Sequence, residues 1–134
     1  MTTGLGVMLQ MLGGNAESAA DYTSAMGKEI RELTLTEDEL VFTFTDDTKI
    51  KLWDAGQQCC EHRYMHSDDD LRAFIGAKLL TAEVKDAPDI EIGYDVHEVA
   101  FLVVGTSLGV FTVETHNEHN GYYGGFAVRC AAIS

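Results

Sequence analysis

The stretch "VHEVAFLVVGTSLGVFTVETH", residues 96–116, decides the fold. "VHEVAFLVVGT" and "GVFTVETH" read as an antiparallel strand pair joined through Thr106 to Gly109. "VAFLVV" is an almost unbroken apolar run, which predicts a central strand covered on both faces. Outward from this pair, other segments repeat the period of two. "EIRELTL" places Ile30, Leu33 and Leu35 in a first strand. "DELVFTFTDDTKIKLW" sets Leu40, Phe42 and Phe44 on one face, turns at "TDDT" and continues through Ile50 and Leu52. "AKLLTAEVKD" supplies another strand, "APDIEIGYD" an acidic loop around Pro88, and "GGFAVRCAAI" a closing strand. Six or so strands and one convincing helix, near 68–75, imply an α+β domain. Its mainly antiparallel sheet is expected to curl into a sandwich or partial barrel.

One segment carries a helix signal. In "HSDDDLRAFIG", Ser67 precedes Asp70 by three residues, the spacing of a capping box, and Asp68 to Asp70 complement the positive end of a helix dipole. Leu71, Phe74 and Ile75 form the stripe to be buried, and Gly76 can end the turn, so a capped helix is expected near 68–75. Consecutive helical residues point about 100° apart, so the three aspartates are poorly placed to share a metal.

The chain has 134 residues, which suits one domain with a real core. Nine basic against twenty-two acidic residues give a net charge of −13, which argues against direct nucleic-acid contact, because that affinity comes from Lys and Arg on phosphates. The same charge would suit a basic partner, or simply solubility. Cys59, Cys60 and Cys130 make an odd set, no secreted disulfide framework, and point to a reducing cytoplasm. "MTTGLGVMLQMLGG" has no basic start and is too short to span a bilayer. Residues 1–27 are expected to form an arm or short helix, with Asn15 as a cap for "AESAADYTSAM"; residues 28–134 form a single β-rich domain. The apolar arm and open strand edges leave room for a homo-oligomer.

Two clusters are dense in chemistry-bearing residues: "DAGQQCCEHRYMH", residues 54–66, and "THNEHNGYYGGF", residues 115–126. Both read as loops, where rigid scaffolds display functional groups. Four readings compete. Zinc would accept Cys59, Cys60, His116 and His119, although adjacent cysteines diverge and H-x-x-H in a glycine-rich loop is a weak signal. A Cys59 or Cys60 thiolate could be activated by His116 or His119, with Asn117 or Asn120 orienting the ring, but no nucleophile elbow surrounds it. Recognition would use Tyr122, Tyr123 and Phe126 as flat apolar faces, with Arg63, Asn117 and Asn120 as directional partners. Finally, Asn120–Gly121 as a turn and Gly124–Gly125 as a bulge would make the cluster purely structural.

"GQQCCEHRYMHSDDDL", "FIGAKLL", "VHEVAFLVV" and "THNEHNGYYGGF" together resemble a small uncharacterised domain family found in bacteriophages and bacteria, over roughly residues 28–130. The resemblance implies that Cys59, Cys60, Glu61, Arg63, Tyr64, His116, Asn117, His119, Asn120, Gly121, Tyr122 and Gly124 belong to the family motif. It brings no established activity. It also implies a small acidic accessory protein acting on host machinery or host signals. The expectation is a noncatalytic binding protein of the cytoplasm, or of the host cytoplasm if viral. It would take a small ligand or a host protein through Arg63, Tyr64, His116, Asn117, His119, Asn120, Tyr122, Tyr123 and Phe126, without a cofactor. A counter-defence inhibitor or sequestering protein is the narrowest version. The alternative is a metal- or cysteine-dependent enzyme built on the same two segments, with zinc as its metal and Glu61 as a proton shuttle.

Overall fold

The computed structural model describes residues 16–54, 62–86, 90–92, 95–119 and 128–133. Helix α1 (Ala16–Ala25) precedes nine strands: β1 (Ile30–Leu35), β2 (Leu40–Phe44), β3 (Lys49–Asp54), β4 (His62–His66), β5 (Leu79–Asp86), β6 (Ile90–Ile92), β7 (Asp95–Thr106), β8 (Gly109–His119) and β9 (Val128–Ile133). They form two antiparallel sheets. The first has the order β1-β2-β3-β9, and the second β4-β8-β7-β5 with β6 beside β7. Neither sheet closes into a barrel among the described residues.

The 96–116 stretch forms the pair it predicts. Register runs without a slip from Val96↔His119 to Thr106↔Gly109. Alternation decides which side chains enter the core: Ala100, Leu102 and Val104 on β7, Phe111 and Val113 on β8. Val99, Phe101 and Val103 face the other way and are half-buried, so the central strand is covered fully on one face rather than both. Leu40, Phe42 and Phe44 from β2, Ile50 and Leu52 from β3, and Val128 and Cys130 from β9 complete the same core. Phe42 meets Phe111 across the sheets, ring centroids 6.3 Å apart.

At one corner the two sheets are joined through their backbones. Ile30 N–H donates to Ala77 O at 2.8 Å and Leu79 N–H to Lys28 O at 3.0 Å. At the other edge of the second sheet, β4 reaches the first sheet differently. Met65 N–H donates to Glu37 O in the β1–β2 turn at 2.8 Å. Gly105 on β7 allows a close approach to β5, since a Cβ there would lie 2.3 Å from Thr81 Oγ1.

Three expectations need correction. The helix near 68–75 is a four-residue 3-10 turn, Leu71–Phe74, capped by Asp70 and not by Ser67. The three aspartates are drawn to different partners: Asp68 to His66, Asp69 to Thr112 N–H and Asp70 to Arg72 N–H. That leaves no first helical turn for them to share, and Ile75 stays exposed. Gly76 does end the turn, at φ 93°. The acidic loop after Pro88 contains β6, paired with β7. The described residues form nine strands where six or so were expected, and β4 and β6 are the two that were read as loops.

Helix α1 lies against β9, where Asp21 Oδ2 accepts Ala132 N–H at 3.1 Å. Tyr22 and Ala25 enter the common core, and Asn15, the expected cap, is outside the described residues. Burial pushes the Cys130 thiol up to about 12, and the nearby Asp21 charge adds to it. Because the folded value lies above the ordinary 9.0, the thiolate favours the unfolded chain, and stability is expected to fall as pH rises beyond about 9. Iodoacetamide at pH 8 should leave Cys130 unmodified in native protein and alkylate it in urea, as read by peptide mass mapping. Equal labelling in both would contradict its burial.

Candidate functional site

Strand pairing brings the 62–66 and 115–119 segments together. Both were expected as loops; instead they are β4 and the end of β8, in direct register, Arg63↔Asn117, Tyr64↔His116 and Met65↔Thr115. A strand presents alternate residues to opposite faces, so this pair carries two different surfaces.

On the outer face, Tyr64 stacks on its cross-strand partner His116, with centroids 4.5 Å apart and planes 4° apart. Both ring nitrogens of His116 are engaged. Nε2 lies 2.9 Å from Glu114 Oε1, and Nδ1 lies 2.9 Å from Nε2 of His97 on β7. In the neutral state the arrangement is satisfied when His97 donates to His116 and His116 donates to Glu114. His62 leans on Tyr64 at 4.9 Å, and His66 pairs with Asp68. Four of the chain's five histidines thus line one face. Tyr64 is held above the usual phenol range by desolvation first, then by its bond to Glu118 and the nearby carboxylates.

The inner face is different. Arg63 Nη1 meets Asp54 Oδ2 of β3 at 2.6 Å, with the two side chains only 6 % and 4 % exposed. Beside them opens a recess of about 230 Å³, lined by Glu37, Asp38, Trp53, Asp54, Arg63, Tyr64, Met65 and Thr115. It lies where β4 meets the β1–β2 turn and the end of β3. Thr115 is 1 % exposed and its Oγ1 has no hydrogen-bond partner. A buried hydroxyl left unpaired costs about 1–3 kcal/mol, so its presence beside an open recess calls for an explanation. Asn117, two residues on, is fully buried on the same inward series.

Of the residues singled out from sequence, Arg63 and Tyr64 border the recess, His116 stands behind Tyr64, and Asn117 is in the wall of the core. The backbone of His119 ends β8, and its side chain is outside the described set. Cys59, Cys60, Glu61, Asn120, Gly121, Tyr122, Tyr123, Gly124 and Phe126 also fall outside the described residues. Sequence reasoning missed Trp53, Asp54, His97 and Thr115. The one signal for Thr115 was its position: it continues the inward series Phe111, Val113 with a polar residue.

Among the described residues no three His, Cys, Asp or Glu side chains are placed to hold a metal. A zinc ion at His116 would have to displace either Glu114 or His97 from its ring. No helix of the described residues is long and apolar enough to cross a membrane.

A family described as a domain of unknown function (DUF7448) matches residues 23–128, most of the chain, and the protein belongs to that family. No curated protein and no solved structure matches it.

Proposed function

We propose that the protein is a noncatalytic binding module whose ligand occupies the recess between β3, β4 and the β1–β2 turn. The unpartnered, buried Thr115 Oγ1 carries this reading. An unpaired hydroxyl that weakens the fold, on a residue that lines a recess, is what a pre-formed ligand contact looks like. The Arg63–Asp54 pair forms the rigid floor, and Trp53, Tyr64 and Met65 the apolar walls. In the narrower version the module is a phage accessory protein of the host cytoplasm that sequesters a host signal, or blocks a host protein, at one-to-one stoichiometry.

Thr115→Val separates function from structure. Removing an unpaired buried hydroxyl at constant shape should raise stability by about 1 kcal/mol, read by urea unfolding, yet weaken the ligand. Native mass spectra of protein purified from cells should show an organic adduct on the wild type, reduced in Thr115→Val and absent in the recess-filling Thr115→Leu. Bare chains in all three, or a destabilised Thr115→Val, would count against the recess.

The second reading is an enzyme, favoured by the Glu114–His116–His97 line, which could pass a proton along the outer face. Cys59 or Cys60 would then supply a nucleophile or, with His119, a zinc site. A metal mass that is lost in His116→Ala would favour it.

A further inference from the structure

The chemistry of the recess selects among ligands. We infer that it takes a small organic cation, an amine or guanidino compound; this rests on the recess being the binding site. Three carboxylates, Glu37, Asp38 and Asp54, line it against one guanidinium, Arg63. Arg63 and Asp54 neutralise one another at 2.6 Å. The guanidinium is therefore not free to receive an anion, and the unbalanced charge belongs to Glu37 and Asp38 at the exposed rim. A phosphate or carboxylate entering here would meet two like charges, and the one guanidinium among the described lining residues is already paired. A net charge of −13 on the whole chain works in the same direction, concentrating cations at the surface.

The uncharged part of the lining agrees. Trp53 is a ring of the kind that attracts cations, and Met65 adds a polarisable thioether. Trp53 already engages a cation, with Lys51 Nζ 4.7 Å from its ring centroid. Size sets a further limit. A recess of about 230 Å³ suits a small molecule such as an aliphatic diamine or a guanidinoalkyl amine.

Trp53 is the only tryptophan, so its fluorescence reports on the recess alone. The test titrates the intact protein at fixed ionic strength with agmatine and, as an anion of like size, with glutarate. Agmatine should give a saturable change, weakened about fivefold in Glu37→Gln/Asp38→Asn, a rim double variant expected to fold normally because both side chains are exposed. Glutarate should give none. Saturation by glutarate instead would overturn the cation and leave the recess standing as a site. Agmatine saturation that is unchanged in the rim variant would reduce the effect to diffuse attraction by the surface and overturn the inference. If neither probe saturates, the cation is likewise overturned, and the mass spectra of wild type and Thr115→Leu separately decide whether the recess holds another molecule.

Discussion

Arg63→Ala is expected to lower the unfolding free energy by about 3–5 kcal/mol, because it leaves Asp54 as a buried carboxylate without its ion-pair partner. The magnitude follows from burial. An exposed ion pair contributes at most about 1 kcal/mol, whereas these side chains are 6 % and 4 % exposed at 2.6 Å. Arg63→Met/Asp54→Leu, which removes both charges, should recover part of the loss, since it also removes the buried carboxylate that has lost its countercharge. Urea unfolding at unchanged slope measures all of these. A loss below about 1 kcal/mol for Arg63→Ala would mean that water reaches the pair, and the recess would lose its rigid floor.

The other large effect is in the core. Phe111→Ala should cost about 3–5 kcal/mol, since the ring is fully buried and removing it leaves a cavity between the sheets. Phe111 lies 6.3 Å from Phe42 of the first sheet and 5.0 Å from Phe74 of the 3-10 turn, centroid to centroid. It thus couples three elements, and its loss should loosen the 71–74 turn as well as the sheet contact. At roughly 4 °C per kcal/mol for a chain of this size, the melting temperature should fall by more than about 10 °C. Phe111→Leu, which keeps most of the volume, should fall much less. Equal losses for the two variants would show that the site does not depend on the shape of the ring.

The same residue explains why the central hairpin was legible in sequence. Phe111, Val113 and Thr115 alternate with Val110, Thr112 and Glu114, and the period of two leaves only one face able to reach the core. The 66–76 segment was misread for an equally physical reason. Leu71, Phe74 and Ile75 have helical spacing, but Asp69 is bound to β8 and Asp70 caps a turn of only four residues. Local pattern was overruled by a tertiary contact.

The site divides in the same manner. Arg63, Tyr64, His116 and Asn117 stood out because histidine, arginine and asparagine clusters are visible in one dimension. That the two clusters form one paired surface was not visible, since the pairing of β4 with β8 joins residues far apart in the chain, as Ser67 and Thr112 are at 45 positions. Trp53 read as the end of a strand, Asp54 as the start of a loop cluster, and Thr115 as an ordinary β-branched residue where a strand ends. Only burial identifies Thr115 as an unpaired hydroxyl, and only the third dimension places His97 beside His116.

The most direct test of the recess as the binding site is a crystallographic fragment screen on the full chain, with charged and neutral fragments in equal number. The expected result is a cluster of fragments against Trp53, Arg63 and Thr115, with amines and guanidines the most frequent and a donor within hydrogen-bond distance of Thr115 Oγ1. A recess empty in every soak, with fragments gathered instead on the His97–His116 face, would contradict the account and move the site to the other side of the sheet.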